Sequence, residues 1–158
     1  MPHRLVLLFV LGLLAVPGLA RADGAEYLII APESFEAALA PLVEWKTLKG
    51  VPAVVATTTE TGYSSTEIRG FIANAVATWD PAPRYVLIVG DMNTIPMAVL
   101  QGGNTDTYYG DIDDDTFVEI YPSRFPAQDV GQVELMVEKT LRYERHPTND
   151  HDYYRSAL

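Results

Sequence analysis

The sequence predicts an α/β fold, a three-layer α/β/α sandwich around a mostly parallel β-sheet. Short apolar runs alternate with amphipathic stretches, which is the pattern of β-α-β units. Residues 27–30 and Tyr85–Val89 are continuous apolar runs, as expected of parallel strands that are buried on both faces. Right-handed crossovers between such strands place the intervening helices on the two faces of the sheet.

The first helix is predicted between the strand at residues 27–30 and a second, β-branched strand at residues 51–57. Ser34 can serve as its N-cap, and apolar residues recur after it near the helical period. Pro41 conflicts with this helix, because proline lacks a backbone N–H and can kink it. Gly50 follows in the usual C-terminal position, which favours the helix.

The second helix is predicted to begin after Ser64, which forms the S-x-x-E pattern of a capping box with Glu67. After the third strand, residues 91–116 show no periodic pattern. Loops of this length in a compact domain are usually functional or disordered. Residues 117–121 are then predicted to form a strand that Pro122 ends.

Asp129 is predicted to cap a third helix. A polar linker follows that helix, and an apolar pair at the end of the sequence is where another strand would begin. We therefore expect residues 23–147 to form the N-terminal part of an α/β domain. Residues 148–158 would be a linker and the start of a further strand, which leaves the sheet truncated at its C-terminus.

Residues 1–22 are predicted to form a cleavable signal peptide. The positive residue Arg4 precedes an apolar run at residues 5–16, and Ala20 and Ala22 place small residues where signal peptidase cleaves. A membrane anchor is the alternative, but a bilayer span needs about 20 apolar residues. We therefore expect bacterial-type export to the cell surface or medium, with no membrane span after cleavage.

The charge and the cysteine content of the chain argue against nucleic-acid binding and against thiol chemistry within these residues. The chain carries 11 Lys and Arg against 21 Asp and Glu, a formal net charge of −10 at pH 7. Arg4 and Arg21 leave with the signal peptide, so the charge of the mature part falls to −12. Such a surface repels a phosphate backbone, and no nucleic acid is expected as a partner. The absence of Cys from the sequence excludes disulfides and thiol chemistry within these residues.

No catalytic residue can be assigned. A Ser-His-Asp triad needs a suitable histidine, and only His146 and His151 remain after export. His146 fits a surface residue facing a helix dipole, and His151 lies between two aspartates of a polar linker. A zinc site on these two histidines lacks a third ligand. No glycine-rich phosphate loop follows the first strand, so a dinucleotide enzyme is not expected.

An acidic segment of the long loop is a candidate calcium site. Oxygen ligands that cluster on one loop suit calcium. The segment is not an EF-hand, because Thr116 replaces the required Gly and Pro122 stands where the bidentate Glu should be. A solvated acidic turn without a metal is the alternative, and such a charge run favours it. The candidate ligands are Asp106, Asp111, Asp113, Asp115 and Glu119.

Asp91 is a second candidate, because it lies just past the carboxyl end of the third strand, after Gly90. Ligand sites of open α/β sheets lie beyond the carboxyl ends of the strands. The alternative is a carboxylate that caps a loop or a helix N-terminus, which is the commoner role.

Five blocks of the sequence follow one another in order: residues 35–46 (FEAALAPLVEWK), 85–91 (YVLIVGD) with Ile95 and Pro96, 108–111 (YYGD), 121–126 (YPSRFP) and 143–145 (YER). Together these blocks resemble the gingipain family of cysteine peptidases. Each block alone is weakly specific, but their order and approximate spacing agree with the family, and they cover nearly the whole mature chain.

The resemblance implies a caspase-like α/β fold, export, bound calcium in some members, and endopeptidase activity on peptide or protein substrates. In the family the activity depends on a His-Cys dyad. The dyad histidine lies in a Gly-His-Gly-type segment and the cysteine lies further on, and neither position has a counterpart here. No catalytic residue is therefore carried over.

Two functions follow as hypotheses. The first is the N-terminal portion of an exported gingipain-like cysteine endopeptidase, inactive by itself and completed by the missing C-terminal half of the domain. The second is a non-catalytic exported module that binds calcium or a partner through the acidic loop. A family member that acts as a surface-anchoring transpeptidase is a variant of the first.

Overall fold

The computed structural model describes residues 24–100 and 103–146. The predicted signal peptide (1–22) and the predicted linker and further strand (148–158) lie outside the described residues. The strands are β1 (Tyr27–Ala31), β2 (Ala53–Thr57), β3 (Tyr85–Val89), β4 (Ala98–Leu100), β5 (Gly103–Thr105) and β6 (Tyr121–Phe125). The helices are α1 (Glu36–Leu48), α2 (Thr58–Thr61), α3 (Ser65–Thr78) and α4 (Val130–Arg145).

Four strands form one parallel sheet in the order β2-β1-β3-β6. The predicted α/β fold with a parallel sheet is therefore confirmed. Tyr27 of β1 lies opposite Tyr85 of β3, and Tyr85 lies opposite Tyr121 of β6. This register brings the amino ends of three strands to one edge of the sheet and their carboxyl ends to the other.

Helices cover both faces of the sheet. Along β1 and β3 successive side chains point to opposite faces, and these apolar runs are buried except at Tyr27, which is half-buried, and Tyr85, which is exposed. The face covered by α3 contains Leu28, Ile30, Val86 and Ile88, packed with Ile68, Ile72 and Ala75. The face covered by α1 and α4 contains Ile29, Ala31, Leu87 and Val89, packed with Leu39, Leu42, Val133, Val137 and Leu141.

The helix starts were predicted with mixed success. The capping box before α3 is confirmed, because the Glu67 amide donates to Ser64 Oγ at 3.2 Å and the Ser64 amide donates to Glu67 Oε2 at 3.0 Å. The prediction that Ser34 caps α1 is wrong. Ser34 lies inside a 3-10 turn, Glu33–Phe35, and α1 begins after Phe35 without a side-chain cap. Pro41 is accommodated inside α1.

The predicted strand at residues 117–121 is also wrong, because β6 spans Tyr121–Phe125 and includes Pro122. The Tyr121 amide donates to the Arg84 carbonyl, beside β3, at 2.9 Å. Neighbouring residues of a strand point their amides to opposite sides, so the Pro122 nitrogen faces away from β3. Proline therefore removes no hydrogen bond between these two strands.

The long loop predicted at residues 91–116 contains two short strands that periodicity did not indicate. Strands β4 and β5 pair antiparallel, with Ala98 opposite Thr105 and Val99 opposite Asn104. None of the helices among the described residues is both long enough and apolar enough to cross a membrane.

Candidate functional site

The carboxyl end of β3 passes into a tight turn that begins at Gly90. Gly90 has φ +147°, a value that side-chain-bearing residues rarely adopt, and a Cβ there would lie 3.1 Å from Thr94 Cβ. The amides of Gly90 and Asp91 donate to the Phe125 and Ala127 carbonyls at 2.9 and 3.0 Å. The turn is therefore tied to the segment that follows β6.

The Asp91 side chain caps this turn. Its Oδ1 accepts from the amides of Asn93 and Thr94, each at 3.0 Å, and from Thr94 Oγ1 at 2.9 Å. Its Oδ2 accepts from Asn93 Nδ2 at 3.2 Å. The hydrogen bond from the Thr94 hydroxyl is the main cause that holds the pKa of Asp91 below its ordinary value, with those from Asn93 adding to it. This geometry favours the capping role over the ligand role.

Arg124 organises the loops at the same edge. Its guanidinium donates to both carboxylate oxygens of Asp106, through Nε and Nη2, each at 2.7 Å. Nη1 donates to the carbonyls of Gly90 at 2.7 Å and Ile95 at 2.9 Å. The Arg124 side chain is 7% exposed and that of Asp106 is 18% exposed. Asp106, predicted as a metal ligand, is therefore engaged in a largely buried ion pair.

Three of the five predicted metal ligands lie together. Each of Asp111, Asp113 and Asp115 offers a carboxylate oxygen, and these oxygens all lie within 4.8 Å of one another. Asp106 and Glu119 are not members of this group. Positive φ angles at Asp114 (63°) and Thr116 (78°) turn the loop so that the alternate aspartates converge. Thr116 thus adopts the backbone conformation for which glycine is usually required.

The hydrogen bonds of this acidic loop do not satisfy every oxygen. Asp111 Oδ1 is buried and has no hydrogen-bond partner among the described residues. Burial, followed by the neighbouring charges of Asp115, Glu119 and Asp111, raises the pKa of Asp113 above its ordinary value. Glu119 Oε2 accepts from the Ile112 amide at 2.6 Å. The loop therefore concentrates negative charge that its own donors leave partly unmatched.

Arg69 of α3 fastens the acidic loop to the rest of the fold. Its Nε and Nη2 donate to the Asp111 carbonyl at 3.0 and 2.6 Å, and Nη2 also donates to Asp114 Oδ1 at 2.7 Å. The guanidinium lies over the Tyr108 ring, 4.7 Å from its centroid. Sequence reasoning missed Arg69, because its partners lie more than 40 residues away in the chain and no local pattern joins them.

The histidines form no catalytic arrangement in the part that the structure describes. His146 is the C-cap of α4, where it is exposed, and His151 lies outside the described residues. The chain contains no Cys. The described residues therefore present structured loops and an acidic cluster, and no nucleophile paired with a base.

Comparison with known proteins gives one matching family and several relatives. The family model described as Peptidase family C25 matches residues 20–158. Gingipain R2 of Porphyromonas gingivalis is 25% identical over 139 residues, which are 86% of this chain and 19% of that protein. Lys-gingipain of the same species is 31% identical over 138 residues, which are 83% of this chain and 8% of that protein.

Solved structures agree with these relatives. A chain described as a protease is 30% identical with a TM-score of 0.71, and the match covers 78% of this chain and 29% of that one. The crystal structure of the Arg-specific cysteine proteinase gingipain R is 22% identical with a TM-score of 0.70, over 77% of this chain and 29% of that one. The present chain thus spans a fifth or less of these curated relatives.

Proposed function

Because the chain belongs to peptidase family C25, we propose that it is the N-terminal portion of an exported cysteine endopeptidase. The observation that carries the proposal is the family match over residues 20–158 together with the common fold at a TM-score of 0.71. Peptide-bond hydrolysis would depend on a His-Cys dyad. We place this dyad beyond residue 158, because the 158 residues contain no Cys.

In this proposal the described residues act as a scaffold. Arg124, Asp106 and the turn at Gly90 hold the loops at the carboxyl edge of the sheet, where open α/β sheets place their sites. Residues 148–158 would lead into a further strand beside β6, which pairs only with β3 among the described strands. The partners are then a peptide or protein substrate and the C-terminal half of the domain.

Export is part of the same proposal. The pattern of residues 1–22 supports a signal peptide, and the acidic composition suits a soluble exported protein. Edman sequencing of the protein secreted by a bacterial host would test this. An N-terminus at residue 23 is expected, and retention of the protein in the cytoplasm with Met1 intact would contradict export.

The experiment that tests the endopeptidase proposal compares two proteins. The chain from residue 23 to residue 158 is expected to cleave neither Arg- nor Lys-ester substrates. A product of the same gene that extends into a Gly-His-Gly segment and a later Cys is expected to cleave peptides and to lose activity when that Cys becomes Ala. Thiol-independent cleavage by either protein, or a natural stop codon after Leu158, would refute the proposal.

The acidic loop favours a second candidate function, an exported module that binds calcium. The supporting observations are the convergent oxygens of Asp111, Asp113 and Asp115 and the unpartnered Oδ1 of Asp111. These three residues would hold the ion, with Glu119 beside them. Asp106 could contribute only if its ion pair with Arg124 opened. Bound calcium would offset two of the negative charges of the loop and fix its backbone.

Calorimetric titration of the mature chain with calcium tests this second function. Binding with a rise in melting temperature is expected, and both should weaken strongly in Asp113→Asn. The matched control is Asp80→Asn, which removes an acidic residue outside the loop. If the titration gives no heat of binding and no shift in melting temperature, the calcium function is refuted, and the endopeptidase proposal is unaffected.

A surface-anchoring transpeptidase would share this half of the domain. The extended protein separates the two reactions, because a transpeptidase transfers the acyl group to an added amine whereas a hydrolase transfers it to water. Product analysis with and without a glycine peptide as acceptor therefore distinguishes them. Hydrolysis product alone is the outcome expected here.

A further inference from the structure

Three tyrosines form a strip at the amino ends of the strands, the edge of the sheet opposite Asp91. Tyr27, Tyr85 and Tyr121 lie in register on β1, β3 and β6. Their ring centroids are 6.1 Å apart between Tyr27 and Tyr85 and 5.9 Å apart between Tyr85 and Tyr121. Tyr85 is 37% exposed and Tyr121 is 62% exposed, so this tyrosine strip offers aromatic surface to a ligand.

A cavity opens beside the strip. Its volume is about 240 Å³, and Tyr27, Lys46, Lys49, Val51 and Tyr85 line it. The walls thus combine two aromatic rings and an aliphatic side chain with two ammonium groups. Ligand sites for small molecules have this composition, mostly apolar walls with a few placed polar groups, and the volume here suits one ring rather than a larger molecule.

The cations of this edge are unusual in so acidic a chain. The sequence has three lysines in all, and two of them line the cavity. Lys46 lies 5.0 Å from the Tyr27 ring centroid and 2.6 Å from Glu144, which neutralises it. Lys49 is 47% exposed, lies 3.2 Å from the same carboxylate and lies 5.6 Å from the Trp45 ring centroid, so a bound anion would have to compete with Glu144 for it.

Arg84 adds a third cation beside the tyrosine strip. Its guanidinium lies 6.0 Å from the Tyr85 ring centroid, and its side chain is 67% exposed. The nearest acidic partner, Glu26, is 3.8 Å away, which is a weak contact at an exposed position. Arg84 is therefore the cation more readily available to a negative group held against Tyr85, whereas Lys49 would have to exchange Glu144 for that group.

We propose that this cavity binds a sugar ring that carries an anionic group, such as a uronic acid or a sulfated hexose of an acidic polysaccharide. The ring would lie against Tyr27, Tyr85 and Val51, since aromatic faces and edges provide large contact area at small entropic cost. Lys49 and Arg84 would pair with the acidic group. The next sugar of the chain would lie along the strip towards Tyr121.

A bare anion accounts less well for the same features. An anion alone is bound by cations and amide donors, and it gains nothing from contact with two aromatic rings and Val51. The Tyr27 hydroxyl, like that of an ordinary tyrosine, is protonated at neutral pH and can donate to a sugar hydroxyl; burial and the charge of Glu144 raise its pKa further, to about 12. An acidic peptide would pair with the lysines, but a cavity of about 240 Å³ is small for a chain that must pass through.

Calorimetric titration of the mature chain tests this assignment with four probes. The probes are a glucuronic acid disaccharide, the neutral disaccharide cellobiose, inorganic sulfate and poly-glutamate. The acidic disaccharide should bind, and the other three should each bind at least ~10-fold more weakly, because each lacks either the charge or the ring. Equal binding of sulfate, tighter binding of poly-glutamate, or no binding of the acidic disaccharide would overturn the proposal.

Matched variants locate the site. Tyr85→Ala and Lys49→Gln should each weaken the acidic disaccharide by ~10-fold. The controls Tyr63→Ala and Lys139→Gln remove the same residue types at exposed positions away from the cavity, and they should leave the affinity unchanged. If Tyr85→Ala does not fold, Tyr85→Leu keeps apolar bulk without the ring and should show the same loss. Equal losses in the controls would overturn the assignment.

Discussion

Replacing Arg124 by methionine should destabilise the fold more than any other change of a single charge. The substitution keeps an unbranched apolar stem but removes the donors to both oxygens of Asp106 and to the Gly90 and Ile95 carbonyls. Asp106 would then be a mostly buried charge without its partner, which costs ~3–5 kcal/mol in proteins. The total stability of a domain is only ~5–15 kcal/mol, so a large part would be lost.

Urea unfolding of the mature chain, followed by circular dichroism, measures this loss. The double variant Arg124→Met with Asp106→Leu should recover part of it, because it leaves no unpaired charge. Arg142→Met, at an exposed position of α4, serves as the control and should change the free energy of unfolding by less than ~0.5 kcal/mol. A loss below ~1 kcal/mol for Arg124→Met, or strict additivity in the double variant, would refute the reasoning.

Three further predictions concern the helices and the acidic loop. Ser64→Ala removes the side-chain cap of α3 and should lower the free energy of unfolding by ~1 kcal/mol in urea melts, whereas Ser34→Ala, which removes no cap, should not. Asp113→Asn should raise the melting temperature measured without calcium, because the raised pKa of Asp113 means that folding disfavours its ionised form at neutral pH. An unchanged melting temperature would show that the aspartates do not repel one another. Burial opposes ionisation of Glu144, but hydrogen bonds from Lys46, Trp45 and Lys49 still hold its pKa below the ordinary value. The contribution of Glu144 to folding stability is therefore complete above its unfolded pKa, and it is lost as the pH falls through its folded pKa. In acid melts Glu144→Gln should therefore flatten the pH dependence, and an unchanged slope would contradict this.

The sheet could be predicted because its central strands are buried on both faces. The predicted runs at residues 27–30 and Tyr85–Val89 correspond to β1 and β3, where every residue but the exposed Tyr85 and the half-buried Tyr27 is buried. Such runs need no alternation, so apolar continuity alone identifies them. The edge strand β6 has no such signal, because it carries Ser, Arg and Pro and is half-exposed. The position of β6 is set by its pairing with β3, and the strand propensity of its own residues does not reveal that pairing.

The acidic cluster could be predicted because its members lie close together in the sequence. The contacts of the two arginines could not, because their partners are far away in the chain. Asp111, Asp113 and Asp115 alternate within one loop, and a turn with two positive φ angles suffices to bring them together. Arg69 and Arg124 reach partners 42 and 18 residues away in the chain. Those contacts depend on how α3 and β6 are placed in the sandwich, and spacing in the sequence carries no trace of them.

The use of these two arginines has a consequence for the whole chain. With 11 Lys and Arg in 158 residues, cations are scarce, and Arg69 and Arg124 have side chains only 16% and 7% exposed. Both hold loops by donating to backbone carbonyls as well as to carboxylates, so they fix loop conformation and not only charge. The burial of Arg124 is matched by that of its partner Asp106, which is 18% exposed, whereas Asp114, the carboxylate paired with Arg69, stays 74% exposed. The loops near the carboxyl edge are therefore positioned by contacts within residues 24–146, which is what the scaffold role proposed above requires.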